Sequence, residues 1–223
     1  MRFTGNTALW QEQDTGFKLL ASDSPSAEPV KARIRQTYRQ VYGAELHHFM
    51  PLLLWLHGTE TAVGLSPGSS GAMFLEHYLD QSVEQALQQA VGSDVSRSGV
   101  IELGNFAAGN VGETRLLIPM LAKLLYRLGY EWVVFTSTPT LKNSFRRLGV
   151  ELVTLASADP SRVPNAGCWG SYYDCAPQVL AGSIAQAMPG LAQLEARRVV
   201  RSRARGLAIA RRTMQGAEHV GTA

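Results

Sequence analysis

Val100-Ile-Glu-Leu-Gly-Asn-Phe-Ala-Ala108, followed by Gly109-Asn-Val-Gly-Glu-Thr-Arg115, is the stretch on which the fold turns. The first nine residues are apolar except for Glu102 and Asn105 and predict a strand. The next seven predict a glycine-bearing loop and the first turn of a helix. From Glu113 to Leu128, the residues Leu116, Leu117, Met120, Leu121, Leu124, Leu125 and Leu128 recur at helical spacing and form a wide apolar stripe. Pro119 inside that helix predicts a bend or a short first segment, and Gly129 predicts its end. A strand that ends in a glycine loop and feeds a helix N-terminus favours anions. Its amides point outward, and the helix dipole adds about half a positive charge there. No Gly-Lys-Ser/Thr follows, so this is not a P-loop, and the glycine spacing is not that of a dinucleotide fingerprint. Alone, the loop also fits an ordinary strand-to-helix turn.

Downstream, Trp132-Val-Val-Phe-Thr136 reads as a buried strand, Leu141 to Leu148 as a short helix closed by Gly149, and Val150 to Leu155 as another strand. This strand–helix–strand–helix–strand order implies a sheet with parallel pairing and helices on its faces. Upstream, Phe17 to Ala21 predicts a strand. Pro29 to Tyr42 predicts a helix with Val30, Ile34 and Tyr38 on one face and Gly43 at its end. Leu52 to Leu56 and Thr61 to Leu65 flank a glycine-containing turn and predict a hairpin. Met73 to Tyr78 is a mixed apolar segment, and Ser82 to Val91 predicts a further helix.

The chain has 223 residues, 45% of them hydrophobic and 17% charged, against a usual charged share of about 25%. That composition supports a packed core and excludes intrinsic disorder. Two cysteines exclude a disulfide-built scaffold and a four-cysteine zinc site. His47 and His48 have no partner at ligand spacing, so no metal is expected. No apolar run approaches the roughly 18 residues a membrane span needs. The first residues lack an apolar signal core, so the expected location is cytoplasmic. Between Glu195 and Arg212 lie seven arginines and one glutamate, whereas the whole chain carries only +3, so the body is mildly acidic. The expected division is one domain over 1–190 and a basic tail over 191–223, helical or disordered. Such a tail either meets phosphates, anionic lipid or an acidic protein, or is a solvated extension. Nucleic acid is not an expected partner.

The order of elements around the opening stretch resembles the core of the GNAT acyltransferase superfamily. Asn143 near the start of the short helix, and Leu148-Gly149 at its end, match the superfamily's usual marks. A closer resemblance is to the thermostable hemolysin family, which shares that fold. It is carried by Val41-Tyr-Gly-Ala-Glu45 with Met50-Pro-Leu-Leu53, Phe74-Leu-Glu-His-Tyr-Leu-Asp80 with Val83-Glu84, and Glu102-Leu-Gly-Asn105. Gly129-Tyr-Glu-Trp-Val-Val-Phe-Thr136 and Trp169-Gly-Ser-Tyr-Tyr173 complete it. Glu102-Leu-Gly-Asn-Phe-Ala107 is also similar to the glutamate-bearing strand of acyl-homoserine-lactone synthases, which acylate an amine from acyl carrier protein or acyl-CoA.

The resemblance implies an α+β fold: a mixed, mostly antiparallel sheet with a central parallel strand pair and helices on both faces. It implies an N-acyltransferase that moves an acyl group from acyl-CoA or an acyl-phosphopantetheine carrier protein to a small amine, the carrier docking on the basic tail. Gly109, Asn110, Val111, Gly112, Glu113, Thr114 and Arg115 would cradle the donor's phosphates, and Asn143 and Phe145 would line its arm. The catalytic group so implied is Glu102, Asn105 and Tyr172. Arg35, Tyr38, Phe74, Glu76, Trp132, Thr136 and Trp169 are the substrate-lining candidates.

The chemistry gives these roles content. An alkylamine is protonated near neutrality, so acyl transfer needs a base, and Glu102 is the candidate. A lone carboxylate in an apolar strand is either paired or faces a cavity. Strict alternation puts Glu102, Gly104 and Phe106 on one face and Ile101, Leu103 and Asn105 on the other. The oxyanion needs an N–H donor, which the backbone near Phe106 and Ala107 supplies if the neighbouring strand splays away. Two features depart from the superfamily. Phe145 stands where a tyrosine acid is frequent, leaving Tyr172, Tyr173 or no acid at all, and the loop lacks the Gln/Arg-x-x-Gly-x-Gly/Ala pattern. Trp132 and Trp169 fit the core or a substrate platform, and Arg35 fits a solvated surface or a site. Cys168 reads as a small hydrophobe. The family name raises a membrane-active alternative, and a catalytically inactive acyl-CoA-fold binding module is a third.

Overall fold

The computed structural model describes residues 16–192 apart from 57, 110, 148 and 149, with backbone only at 111, 112, 115, 116, 140, 141, 144 and 147. The basic tail and the Leu148-Gly149 mark therefore lie outside the described residues. The chain opens with β1 (Phe17–Ala21) and α1 (Glu28–Tyr42). Pro29 sits in the first turn of α1, where its missing N–H costs nothing, and Gly43 ends it at φ 66. Next come the hairpin β2 (Leu52–Leu56) and β3 (Ala62–Pro67), a 3-10 segment at Phe74–Tyr78, and α2 (Val83–Val91), which starts from a Ser82–Gln85 capping box. The mixed pattern at 73–78 thus resolves into a 3-10 segment. The second half contributes β4 (Val100–Ala107), α3 (Val111–Arg127), β5 (Trp132–Ser137), α4 (Pro139–Arg147), β6 (Val153–Ser157) and β7 (Gln178–Ser183), followed by a helix α5 over 184–192. α3 runs as one helix through Pro119 and has no separate first segment.

The seven strands form one sheet in the order β1-β2-β3-β4-β5-β7-β6, and only β4–β5 is parallel. Two sequence expectations need correction. β6 starts at Val153 instead of Val150, because the Val150 N–H donates to the Phe145 carbonyl at 3.1 Å and residue 150 closes α4. β7, which the pattern reading missed, lies between β5 and β6 and is antiparallel to both, so those two strands never pair. Its only signal is the short run Val179-Leu-Ala181 between Pro177 and Gly182.

The sheet has a core on each face. Neighbouring residues of β2 show the division, with Leu54 packing with Leu117, Leu121 and Leu125 of α3 and Leu53 packing with Ile34 of α1. Beside the α1 core, Leu75 and Leu79 join Leu87, Val134 and Ala181. Each fully buried aliphatic side chain of this kind contributes about 1.5–3 kcal/mol.

The site is positioned by what happens half-way along β4. Pairing with β5 runs from Val100↔Trp132 to Leu103↔Phe135 and stops, although both strands continue. On the other edge, the register with β3 passes from Gly64↔Gly104 to Ala62↔Ala107, setting three steps of β4 against two of β3. Asn105 occupies this bulge at φ 47, a left-handed conformation that asparagine tolerates better than most residues. The bulge overturns the expected alternation. Phe106 packs with the α3 face, and Asn105 turns to the side of Gly64 and Met50. A side chain at Gly64 would meet Asn105 Oδ1 and Met50 Cβ at 2.8 Å, so β3 can approach only as glycine.

Candidate active site

Where β4 and β5 part, an apolar slot opens between the sheet, α3, α4 and α5, bounded by Tyr38, Phe106, Ile118, Thr136, Phe145 and Ile184. Its volume is about 100 Å³, the space of about three waters at roughly 30 Å³ each. Phe145 packs on Phe135 with ring centroids 5.0 Å apart and forms one wall, while Asn143 is exposed on α4. Tyr38 reaches the slot from α1, and its hydroxyl lies near the backbone N–H of Phe106. Phe106 itself lies beyond the last residue of β4 that pairs with β5. Burial, with the neighbouring Tyr42, pushes the Tyr38 hydroxyl well above its ordinary range and keeps it protonated.

Glu102 lies deeper, 2% exposed. Its carboxylate accepts from the Phe74 N–H at 2.8 Å and the Leu75 N–H at 3.0 Å. Burial raises its pKa to about 8, against the opposing pull of the two amides. Glu102 lines neither the slot nor the cleft described below. It is the anchor of the 3-10 segment, which is fixed from the other side by Glu76. The Glu76 carboxylate accepts from the Met73 N–H at 2.8 Å and the Val83 N–H at 2.9 Å, and pairs with Arg97 at 2.6 and 2.9 Å. The Arg97 guanidinium holds Glu76 down at about 2 and also bonds Glu84 and the carbonyls of Gly68 and Gly71. Glu76 is therefore committed to a structural ion pair.

Asn105 is 6% exposed, and both ends of its amide are engaged. Oδ1 accepts from the Met50 N–H at 2.7 Å, and Nδ2 donates to the His48 carbonyl at 3.1 Å, stitching residues 48–50 to the bulge. Tyr172 belongs to an aromatic cluster with Trp169, Tyr42 and Tyr173, at centroid distances of 5.5, 5.2 and 5.3 Å. Its hydroxyl donates to the Thr136 carbonyl over a long 3.5 Å, and burial raises its pKa well above normal. The Tyr173 and Tyr78 hydroxyls bond each other at 2.7 Å.

On the far side of this cluster is an open cleft of about 330 Å³, walled by His48, Phe74, His77 and Trp169, with Glu45 and Cys168 at its rim. The His48 ring stacks on Phe74 with centroids 5.0 Å apart, and Phe74 lies 5.7 Å from Trp169. Burial and the nearby His77 lower the His48 pKa and favour the neutral ring. Sequence reading weighed His48 only as a metal ligand and missed Arg97 altogether. Neither residue has a local pattern, because their partners lie far along the chain.

The remaining candidates scatter. Trp132 packs in the core beside Leu79 and Val134, away from the slot. Arg35 pairs with Glu28 at 2.6 Å and stacks over Phe49 on the outer side of α1. At the N-terminus of α3, the Gly109 N–H donates to Glu113 Oε2 at 3.2 Å, and the buried Thr61 hydroxyl donates to the same oxygen. Ala107 packs in the α1 core, and Thr114 is half-buried in the first turn of α3. Asn110 and the side chains at 111, 112 and 115 lie outside the described residues. Among the described residues, no group of three or more His, Cys, Asp or Glu is placed to hold a metal, and no helix is long and apolar enough to cross a membrane.

The sequence matches the thermostable hemolysin family model over residues 20–188. The chain belongs to the thermostable hemolysin family. No curated protein matches this hemolysin-family chain. Its fold is found in solved structures of low identity. TofI, in a ternary complex with an inhibitor and MTA, is 16% identical with a TM-score of 0.51, over 78% of this chain and 95% of that one. BjaI, a CoA-dependent acyl-homoserine lactone synthase with SAM and isopentyl-CoA, is 12% identical at 0.51, over 79% and 87%. FeeM, an N-acyl amino acid synthase from uncultured soil microbes, is 14% identical at 0.50, over 78% and 98%. These matches, with the single parallel pair inside an otherwise antiparallel sheet, bear out the GNAT-like fold expected from sequence.

Proposed function

We propose that this thermostable hemolysin family member is an N-acyltransferase working in the cytoplasm, its catalytic unit the single domain over 1–190. It would transfer an acyl group from acyl-CoA or an acyl carrier protein to a small amine such as an amino acid. The observation that carries the proposal is the apolar slot that opens where β4 and β5 part, with Phe106 in its wall and the Tyr38 hydroxyl near the Phe106 amide. A thioester carbonyl placed there would find that amide as a donor to the oxyanion of the tetrahedral intermediate. The thioester end of the donor would lie in the slot against Phe106, Ile118 and Phe145, and a longer acyl chain would require the slot to widen.

The amine would approach from the cleft of His48, Phe74 and Trp169, whose aromatic faces suit a cationic ammonium group. As the amine attacks, its proton would pass to Glu102, with its pKa at about 8, through an intervening water, since that carboxyl lines neither cavity. The C–N bond forms, the C–S bond breaks, and the thiol leaves as a thiolate, whose ordinary pKa near 8.5 calls for little assistance. Tyr172, whose protonated hydroxyl donates to the carbonyl of the slot residue Thr136, would serve as the acid. The arginine-rich tail supplies cations for an acidic carrier protein.

The test is thiol release from a panel of acyl thioesters with amino acids and polyamines as acceptors. Turnover that Glu102→Gln lowers while donor binding persists supports the proposal. Leakage of anionic liposomes without thiol release, unaffected by that substitution, would replace it with the membrane-active reading.

A further inference from the structure

The open cleft of about 330 Å³ sets a wall of rings beside one carboxylate. Its size is near the small end of ligand pockets, about 300–1,000 Å³, and suits a small molecule. Phe74 is the centre of the wall, with ring centroids 5.0 Å from His48, 5.3 Å from His77 and 5.7 Å from Trp169. The Phe74 N–H also donates to Glu102 at 2.8 Å, so the wall and the buried carboxyl share a residue. Of the described side chains lining the cleft, none is a lysine or an arginine, and Glu45 is the one carboxylate. The Glu45 backbone N–H donates to the Cys168 carbonyl at 2.7 Å, which ties the acidic rim to the rim that carries Trp169. The Glu45 side chain is exposed and makes no ion pair among the described residues. His77 Nδ1 lies 2.8 Å from the Phe74 carbonyl, a contact that needs the hydrogen on Nδ1, so Nε2 of the neutral ring is left as an acceptor. The cleft thus offers a cation two acceptors and several rings, and offers an anion no countercharge.

We propose that this cleft selects a primary amine with an aromatic or apolar body and no carboxylate, and that Glu45 sets the preference. The inference rests on the acyl-transfer reading and narrows its acceptor, from small amines in general to the decarboxylated counterparts of apolar amino acids. The ammonium group of such a molecule meets the Glu45 carboxylate and His77 Nε2, while its body lies against Phe74, His48 and Trp169. The carboxylate of an amino acid in the same place finds no cation in the lining and stands against Glu45. Asn165, also in the lining, is a neutral donor that replaces part of the lost hydration but not the missing countercharge.

The test is isothermal titration of the full chain with phenethylamine and with phenylalanine, which differ only in the carboxylate. At about pH 7.5 both carry an ammonium group, and ordinary imidazoles and thiols are mostly neutral. Phenethylamine should bind about tenfold or more tightly than phenylalanine. Glu45→Gln should weaken phenethylamine about three- to fivefold and bring the two ligands within about threefold of each other. Phenethyl alcohol, which has no charge, should bind the two proteins within about twofold. Phenylalanine binding as tightly as phenethylamine overturns the inference. So does a Glu45→Gln protein, folded by its melting curve, whose phenethylamine affinity is unchanged, and so does a wild-type chain that binds neither ligand. Thiol release from acyl thioesters separates this inference from the reading beneath it. Turnover with phenylalanine and none with phenethylamine overturns the acceptor preference and leaves acyl transfer standing. The expected binding pattern without thiol release for any acceptor upholds the amine site and removes the acyl-transfer reading.

Discussion

The two halves of β4 are chemically unlike. From Val100 to Leu103 the strand is paired on both edges, and Glu102 is fastened to the 3-10 segment by two amides. From Gly104 to Ala107 it is paired on one edge only, bulged at Asn105, and bordered by the slot. The first half is held by a polar lattice that Arg97 closes at a distance. The second keeps its shape through one asparagine and borders the slot. Rigidity and an unpaired edge are thus divided along eight residues of one strand, and the carboxyl with the shifted titration lies on the rigid side.

Substitutions at either half probe this division. The largest effect expected is from Glu102→Gln on the chemical step: a loss of about 10²–10⁴ in rate, as for removal of a general base. The wild-type rate should climb with pH through about 8 and flatten in the variant. Stability carries the opposite sign. The carboxyl's pKa is raised above its ordinary 4.5, so between 4.5 and about 8 the folded protein keeps a proton that the unfolded chain has lost. This group's contribution therefore declines as pH rises across that window. Urea titrations at several pH values should show the decline in the wild type and its absence in Glu102→Gln.

Next in size is Arg97→Ala, which leaves Glu76 and two carbonyls without their partner. The expected cost is about 3 kcal/mol, the low end for breaking a buried pair, since the Arg97 side chain retains 27% exposure. Denaturant midpoints give the value, and a concurrent shift in the pH profile would show that the lattice governs Glu102. Asn105→Ala should cost about 2 kcal/mol through two lost hydrogen bonds and a strained left-handed residue. Asn105→Gly should cost less because the strain is absent, so the order of their melting temperatures isolates the bulge. Smallest is Tyr38→Phe, at about 1 kcal/mol. It removes the hydroxyl near the Phe106 amide, and thioester KM should fall or hold steady. A KM that rises instead would mean that Tyr38 binds the donor directly.

Much of this architecture could be read from spacing. The stripe of α3, the glycine that ends α1 and the hairpin β2–β3 are local patterns, and local rules fix them. β7 escaped notice because six residues flanked by Pro177 and a 3-10 stretch resemble many loops until β5 and β6 are seen to need a strand between them. The facing of Phe106 was misread for a related reason: one left-handed asparagine reverses the alternation after it, and nothing in residues 100–107 forbids the regular pattern. Among the site residues, Tyr38, Thr136 and Phe145 do converge on the slot, whereas Trp132 and Arg35 do not. Arg97 and Thr61 were illegible because each acts through partners tens of residues away.

The late arrival of β7 shapes how the chain must assemble. During synthesis β5 and β6 emerge with open edges, and the strand that covers both follows some forty residues after β5. At roughly 5–20 residues per second, the ribosome leaves those edges exposed for roughly two to eight seconds. Only after Ser183 has left the exit tunnel can the right-hand portion of the sheet lock, which makes that interval the period of greatest risk for aggregation and the natural point for a chaperone to engage the nascent chain.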